Sequence, residues 1–185
     1  MRTLAIDCAT EACSVALFDG ASLIAGDYRQ LGRGHAEALV PMIAALPDRG
    51  KAARIAVALG PGSFTGLRVG LAAARALALA WQAELVGYAT PALIAAMARA
   101  QAGAQAVSVV TTGGHGEWFL AEFGADGAAL GPIASLRPDA AAASARAELL
   151  AGSQAEALRG LRGSGTALAL WPDARCFALL GEEPL

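Results

Sequence analysis

The spacing of apolar residues over the first thirty positions predicts three consecutive strands. Short apolar runs lie at residues 3–7, 14–18 and 22–28. Asp19 and Gly20 separate the last two runs, and an Asp-Gly pair between two such runs is a strong hairpin signal. The polar link between the first two runs, residues 8–13, is also short enough to be a tight turn. The chain therefore opens with a small antiparallel meander.

Helical spacing replaces this pattern near His35. Apolar residues then recur three and four positions apart, at Ala36, Leu39, Val40, Ile43 and Leu46. Pro41 is expected to kink this helix because proline removes one backbone hydrogen bond.

The remainder of the first hundred residues alternates between the two patterns. A strand is predicted at 54–59, a helix at about 65–81, a strand at 85–88 and a helix at 90–102. Thr90 is the expected N-cap of the last helix, with Pro91 in its first turn. Strands that alternate with helices in this way indicate an α/β lobe with a mixed sheet.

A second and thinner set of elements follows residue 104. Strands are predicted at 106–111 and 117–123 around a glycine turn, with a candidate third strand at 129–136. An alanine-rich helix is predicted at 138–151, a short strand at 167–171 and a terminal helix near 173–180. The predicted domains are thus a lobe at 1–103 and a shortened lobe at 104–185, whose terminal helix is free to pack back on the first lobe.

Composition and charge exclude several classes of function. The 185 residues are 56% hydrophobic and 16% charged, which is ample for a core and atypical of disorder. The net charge is −2 and the arginines are scattered, so independent nucleic-acid binding is disfavoured. The N-terminus lacks the apolar core of a signal peptide, and no uninterrupted apolar run reaches membrane-spanning length. Three unclustered cysteines predict buried, reduced thiols and hence a cytoplasmic protein.

The segment GPGSFTGLRVG at residues 60–70 is the most informative motif. Its early glycines permit positive φ and close backbone approach, and a serine or threonine can cap the helix that follows. A helix N-terminus of this kind can attract an anion. However, the lysine of the GxxxxGK[ST] phosphate loop is missing, which favours packing over phosphate binding. The residues assigned to this glycine loop are Gly60, Pro61, Gly62, Ser63, Thr65 and Gly66.

The helix after the glycine loop carries small residues on adjacent turns, at Gly66, Gly70 and Ala74. It is apolar nearly all round, with Arg68 and Arg75 as the exceptions. A helix of this kind is expected to be buried on more than one side. Together with the helix at 35–46 it could present an apolar ridge to another protein, or it could lie entirely in the core.

No catalytic constellation emerges from the sequence. Asp7, Thr10 and Glu11 lie in the first strand-turn-strand. There Asp7 and Thr10 could hold a metal or a phosphate as a vestigial phosphate turn, although a hydrogen-bonded hairpin turn is the favoured interpretation. His35 is expected at a helix start, exposed or capping. His115 lies in a glycine turn, far from the spacing of a zinc or iron site. Neither a catalytic residue nor a metal ligand is therefore predicted.

Three segments carry a resemblance to a known family: LAIDCATEACSVALF at 4–18, HAEALVPMI at 35–43 and IAVALGPGSFTGLRVGLAAARALA at 55–78. TPALIAAMA at 90–98 and GEWFLAEF at 116–123 fit less tightly. With these segments the chain resembles the TsaB (YeaZ) family, relatives of the TsaD/Kae1-type proteins once called glycoproteases. The resemblance implies the actin-like, sugar-kinase-like (ASKHA) α/β fold, with two lobes and mixed sheets.

The resemblance also implies a role in making N6-threonylcarbamoyladenosine in tRNA. A TsaD-type transferase would carry the metal and the chemistry, and a TsaE-type ATPase would complete the complex. A TsaB-type chain would be a non-catalytic scaffold that needs no cofactor of its own and touches tRNA only indirectly. Its partner surface, which can also form homodimers, would lie on the helices at 35–46 and 65–81. The residues carried over to that surface are His35, Glu37, Leu39, Val40, Ile43, Leu67, Leu71, Ala74 and Arg75.

The chain departs from the family pattern at two places, and two other functions remain as alternatives. The chain reads TTGGH at 111–115, where the family usually has an Asp-Ala-Arg-Arg-like turn, and its C-terminal portion is shorter than usual. One alternative is an independent ATP-binding ATPase or kinase of the same fold, for which GSGTALA at 163–169 is the sole candidate for a second phosphate loop. A minor alternative, a peptidase, lacks any supporting set of residues.

Overall fold

The computed structural model describes residues 1–181, which divide into two compact units. The first contains Met1–Thr90 together with the chain from Pro172 onward, and the second contains Pro91–Trp171. The sequence predicted a boundary at 103/104, whereas the helix at Thr90–Ala102 falls almost wholly in the second unit. The terminal segment, conversely, belongs to the first unit.

The first unit is built on a five-stranded mixed sheet. Its strands are β1 (Arg2–Asp7), β2 (Ala12–Asp19), β3 (Ser22–Gln30), β4 (Arg54–Ala58) and β5 (Glu84–Tyr88), in the spatial order β3-β2-β1-β4-β5. The first three strands form the predicted antiparallel meander, and β4 and β5 run parallel to β1. All five predicted strands of this unit are confirmed.

Two helices cover one face of this sheet. Helix α1 (His35–Ala44) begins after Gly34, whose φ of 90° lies in the left-handed region, and it continues through Pro41 as a single helix. Helix α2 (Phe64–Trp81) begins at the N-cap Ser63 and ends before Gln82, which is also left-handed. The two helices contact each other and pack on β1, β2 and β4. Apolar side chains of these strands, such as Leu4, Ile6, Val15, Leu17 and Val57, form the core beneath them.

The terminal segment lies on the opposite face of the same sheet. It forms a 3₁₀ helix at Ala174–Leu180, where the sequence predicted an α-helix, and it contacts β1, β2 and β3. The ring of Phe177 lies 6.1 Å from that of Phe18 and 5.4 Å from that of Tyr88. Because successive strand residues point to opposite faces, the residues that alternate with the core positions meet this segment.

The second unit repeats the strand topology of the first. Its strands are β6 (Val107–Thr112), β7 (Trp118–Phe123), β8 (Ala134–Leu136), β9 (Leu149–Ala151) and β10 (Thr166–Leu168), in the order β10-β9-β6-β7-β8. Again the first three strands are antiparallel, and the last two run parallel to the first of them. The helices of this part are α3 (Thr90–Ala102), α4 (Pro138–Ser144) and α5 (Ala155–Arg162).

The alanine-rich helix predicted at 138–151 is wrong in its second half. Helix α4 ends at Ser144, and Ala145 is already extended, with a ψ of 127°. Leu149, Leu150 and Ala151 form β9 between β6 and β10 and are buried. Sheet pairing on both sides and burial outweigh the helix propensity of the alanines. The sequence also missed α5, which follows directly after this strand.

Candidate functional site: the α1–α2 surface and the turns beneath it

The glycine loop rests directly on the turn between β1 and β2. The amide of Ser63 donates to the carbonyl oxygen of Ala9 at 2.7 Å. A Cβ at Gly62 would overlap this same oxygen, and a Cβ at Gly66 would overlap the carbonyl oxygen of Cys8. Glycine is therefore required at both positions by close backbone approach.

This contact supports the packing interpretation of the glycine loop. The Ser63 hydroxyl caps the helix by accepting from the amide of Gly66 at 3.2 Å, so Ser63 and not Thr65 is the cap of the two residues that the sequence offered. Carbonyl oxygens of the β1–β2 turn are thus the groups that face the start of α2.

Asp7 and Thr10 direct their polar atoms into the turn itself. Asp7 is fully buried; its carboxyl group accepts from the amide of Ala9 at 2.9 Å and lies 3.1 Å from the Tyr88 hydroxyl. Burial raises the pKa of Asp7 to about 7. The buried Thr10 hydroxyl accepts from the amide of Ala12 at 3.3 Å. These bonds support the hairpin-turn interpretation over a metal or phosphate turn.

His35 is buried, which corrects the expectation of an exposed or capping residue. Its Nε2 lies 2.8 Å from the carbonyl oxygen of Thr10 and 3.3 Å from that of Ala12. Carbonyl oxygens only accept, so Nε2 carries the proton and donates to them. His35 thereby ties the start of α1 to the β1–β2 turn.

The residues predicted for the partner surface divide into two groups. Four of them are buried in the first unit: Leu39, Ile43 and Ala74 in its core, and His35 against the β1–β2 turn. None of these four can meet a partner in the folded chain. The family resemblance assigned them to the partner surface, but they lie on the face of each helix that points toward the sheet. The others remain accessible: Glu37, Val40 and Arg75 are exposed, and Leu67 and Leu71 are half-buried.

Exposed residues nevertheless lie along both of these adjacent helices, and we call this set the α1–α2 surface. Three large apolar residues on it are strongly exposed: Val40 at 61%, Phe64 at 68% and Leu79 at 83%. The charged residues of α2 are Arg68 and Arg75. The guanidinium of Arg68 lies 3.7 Å from the ring centroid of Phe64. The α1–α2 surface comprises Ala36, Glu37, Val40, Pro41, Ala44, Phe64, Thr65, Arg68, Ala72, Arg75, Ala76, Leu79 and Ala80.

The length and apolar composition of helix α2 resemble those of a membrane-spanning segment. Among residues 1–181, it is the one helix whose length and composition would allow it to cross a membrane. Its buried face, however, packs through Gly66, Gly70 and Ala74 on the sheet of the first unit. A single helix that meets this criterion is weak evidence for a membrane span, and 22% of this one is buried.

The remaining predicted features belong to the second unit. His115 is exposed in the turn between β6 and β7, with a φ of 55°. In the segment 163–169, Gly163 ends α5 and the chain then enters β10, so no helix begins there as a phosphate loop requires. Across residues 1–181, no group of three His, Cys, Asp or Glu side chains is placed to hold a metal ion.

Comparison with known proteins agrees with this architecture. Residues 29–160 match the family model of TsaD, tRNA N6-adenosine threonylcarbamoyltransferase. The tRNA threonylcarbamoyladenosine biosynthesis protein TsaB of Escherichia coli K12 is 37% identical over 131 residues, which cover 68% of this chain and 56% of that protein. The match thus spans little more than half the length of the E. coli protein.

Solved structures extend the likeness over nearly the whole chain. YeaZ from Pseudomonas aeruginosa has a TM-score of 0.81 and 27% identity, covering 97% of this chain and 90% of that one. An uncharacterized protein with similarity to peptidase YEAZ from Pseudomonas aeruginosa has a TM-score of 0.83 and 29% identity, with the same coverage. The ethanolamine utilization protein EutJ from Carboxydothermus hydrogenoformans shares the fold, with a TM-score of 0.55, 12% identity, and coverage of 98% and 90%.

The duplicated strand order and these likenesses define an α/β protein of the actin-like, sugar-kinase-like fold. Its glycine loop is used for helix packing. The chain belongs to the TsaB/YeaZ family of TsaD-related proteins.

Proposed function

We propose that this chain is the non-catalytic scaffold subunit of a complex that synthesises N6-threonylcarbamoyladenosine in tRNA. The observation that carries the proposal is the α1–α2 surface, on which Val40, Phe64 and Leu79 are exposed along two adjacent helices. Contiguous exposed apolar surface commonly marks a protein–protein contact. The names of the E. coli relative and of the matching family model supply the pathway.

The chemistry of the surface fits a helical partner. Alanines at positions 36, 44, 72, 76 and 80 are exposed between the larger side chains, so another helix can approach the backbone closely. Arg68 and Arg75 add positive charge beside the exposed apolar residues, where acidic groups or helix C-terminal carbonyls of the partner would be favoured. The partner would be the TsaD-type transferase.

A second copy of this chain could occupy the same surface. A homodimer and the complex with the transferase would then exclude each other, since both need Val40 and Leu79. The stronger contact would be set by complementarity to the exposed apolar residues and the two arginines, because buried area alone does not determine affinity.

Catalysis and cofactors belong to the partners under this proposal. The TsaD-type protein would carry the metal and transfer the threonylcarbamoyl group, and a TsaE-type protein would hydrolyse ATP. No phosphate site is needed in this chain under the proposal, and the burial of Asp7 and the packing of Gly62 and Gly66 on the β1–β2 turn support this. Contact with tRNA would be indirect, and the complex would work in the cytoplasm.

Co-expression with the TsaD-type protein of the same cell tests the proposal. Val40→Glu and Leu79→Glu should each abolish co-elution in size-exclusion chromatography while the circular dichroism spectrum stays unchanged. Leu130→Glu is the matched control, since Leu130 is 55% exposed in the second unit, and it should leave the complex intact. Co-elution of all three variants with the transferase would overturn the proposed surface.

A further inference from the structure

Two buried thiols face each other across the start of the first hairpin. The Sγ atoms of Cys8 and Cys13 lie 3.5 Å apart, and both side chains are buried. Asp7 pairs with Ser14 in the ladder of β1 and β2, so Cys8 and Cys13 occupy the next opposed positions. They are cross-strand neighbours separated by a short turn.

The ladder places this pair at a site that suits a disulfide. The amide of Gly20 donates to the carbonyl of Met1 at the far end of the same ladder. Hydrogen-bonded and non-hydrogen-bonded pairs alternate from there, which makes Cys8 and Cys13 a non-hydrogen-bonded pair. In such pairs the Cα atoms are about 4.5 Å apart, within the range of about 4.4–6.8 Å that disulfides require.

We propose that Cys8 and Cys13 are a redox modification site that forms a reversible intramolecular disulfide when the protein meets peroxide. The Cys13 thiol gives up its proton, its thiolate attacks one peroxide oxygen, and the O–O bond breaks. Cys13 becomes a sulfenic acid, and the departing hydroxide takes up that proton and leaves as water. The Cys8 sulfur then attacks the Cys13 sulfur, the S–OH bond breaks, and a second water is released. The two sulfurs together lose two electrons, which the peroxide accepts.

The contact between the two thiols assigns their roles. The hydrogen bond from Cys8 lowers the pKa of Cys13, whereas the same bond and burial raise the pKa of Cys8. Cys13 is therefore the attacking thiol and Cys8 the resolving one, because the thiolate is the nucleophile. Peroxide is close to water in size, which suits a pair that larger oxidants reach poorly.

The disulfide would form directly beneath α1 and α2. The carbonyl of Cys8 packs on Gly66, and a Cβ at Gly70 would lie 3.5 Å from the Cβ of Cys8. His35 donates to carbonyls of Thr10 and Ala12, inside the loop that the disulfide closes. The sulfur–sulfur distance would shrink from 3.5 Å to about 2.0 Å. An effect of this change on partner binding rests on the proposed function, whereas the disulfide itself does not.

Peptide mapping of the full-length protein tests the disulfide without any partner. Trypsin releases Cys8 and Cys13 in one peptide, residues 3–29, and Cys176 in another, residues 176–185. After treatment with hydrogen peroxide and alkylation, peptide 3–29 should lack two hydrogen atoms and carry no alkyl group. Dithiothreitol should restore both thiols. The half-buried Cys176 reports whether the oxidant was active.

Three variants separate this pair from other outcomes. Cys176→Ser should still form the disulfide, whereas Cys8→Ser and Cys13→Ser should lose it completely. The proposal is overturned if Cys176 is oxidised while peptide 3–29 stays fully alkylated. It is also overturned if Cys13 stops at the sulfinic acid, or if the disulfide appears only after unfolding in urea.

Discussion

The hydroxyl oxygen of Tyr88 lies 3.1 Å from Oδ2 of Asp7 and 3.1 Å from the carbonyl oxygen of Ile6, in the buried interior of the first unit. One hydroxyl hydrogen shared between both acceptors makes a weaker bond to each than it would make to one alone. A protonated Asp7 resolves the conflict, because it donates to Tyr88 while Tyr88 donates to Ile6. Burial favours the same protonated form and raises the pKa of Asp7 to about 7.

Stability should therefore fall as the pH rises from about 4 to about 7. Over this window the folded chain holds a proton on Asp7 that the unfolded chain, with its ordinary carboxyl pKa of 3.8, has released. The stabilisation is complete below the unfolded pKa and is lost as the pH passes through the folded pKa. Between these two limits the free energy of unfolding should fall by on the order of 4 kcal/mol. Urea unfolding followed by circular dichroism at pH 4.5, 6 and 7.5, as chosen set points, measures it.

Asp7→Asn supplies the control for this prediction. The neutral amide can accept from the amide of Ala9 through Oδ1 and can donate to Tyr88 through Nδ2. The variant should show a much flatter pH dependence than the original chain and should be the more stable of the two at pH 7.5. Equal slopes for both proteins across this pH window would show that Asp7 does not titrate as described.

Gly66→Ala and Gly70→Ala should have opposite effects, although both glycines are buried in α2. A Cβ at position 66 would overlap the carbonyl oxygen of Cys8, which the backbone holds in place. A Cβ at position 70 would meet Cys8 at 3.5 Å, an ordinary contact. We expect Gly66→Ala to cost about 1–3 kcal/mol or more through overpacking. Gly70→Ala should be neutral or stabilising by up to about 1 kcal/mol through helix propensity.

Urea denaturation of the two glycine variants side by side decides this prediction. The result would contradict the stacking of the glycine loop on the β1–β2 turn if Gly66→Ala were as stable as Gly70→Ala. If only Gly66→Ala loses stability, the contact with Cys8 is the reason that glycine is required at position 66. The two variants carry the same substitution in the same helix, so helix propensity cannot explain the difference.

Local patterns predicted the first unit well because its elements carry local signals. The Asp-Gly turn, the N-cap Ser63 and the helical spacing after His35 each reside in a few neighbouring residues. Strand β9 carries no such signal, since Leu149–Ala151 follows alanines with high helix propensity and becomes a strand through pairing with β6 and β10. Its neighbours in the sheet are distant in sequence, so spacing alone could not reveal them.

The candidate surface was predicted only in part, for a related reason. Apolar spacing locates the face of a helix that points to the core, and Leu39, Ile43 and Ala74, which the family resemblance assigned to the partner surface, lie buried on that face. The exposed Phe64 and Leu79 belong to the other side of α2, where apolar residues have no packing requirement within the unit. The signal that could have found them is an apolar stripe left over after the core face is assigned.

Ala72→Glu and Ala74→Glu should distinguish the two faces of α2. Ala72 is exposed on the α1–α2 surface, so its replacement should change the free energy of unfolding by no more than about 0.5 kcal/mol. The same replacement should disrupt the proposed complex with the TsaD-type protein. Ala74 is fully buried, so a glutamate there would place a charge in the core and should unfold the chain. Thermal unfolding followed by circular dichroism checks the stability of both variants, and co-elution with the TsaD-type protein checks the association. A well-folded Ala74→Glu variant would contradict the assigned orientation of α2.

Ser14→Ala should loosen the terminal segment from the sheet of the first unit. The buried Ser14 hydroxyl accepts from the amide of Ala174 at 2.9 Å and donates to the carbonyl oxygen of Pro172 at 3.4 Å. Alanine would leave both backbone groups buried and without their partner, which costs about 1–3 kcal/mol. Each 1.4 kcal/mol raises the population of the detached segment about tenfold.

Trypsin reports this detachment because its site at Arg175 lies inside the segment. In the intact chain, Asp173 accepts from the Arg175 amide at 2.9 Å and pairs with its guanidinium at 2.7 Å, so cleavage requires local opening. Under conditions where opening is fast relative to cleavage, the rate at Arg175 should rise in proportion to the open population. Ser22→Ala, at an exposed position of β3, is the matched control and should leave the rate unchanged. An unchanged rate in Ser14→Ala, with global stability lowered, would instead assign Ser14 to the sheet alone.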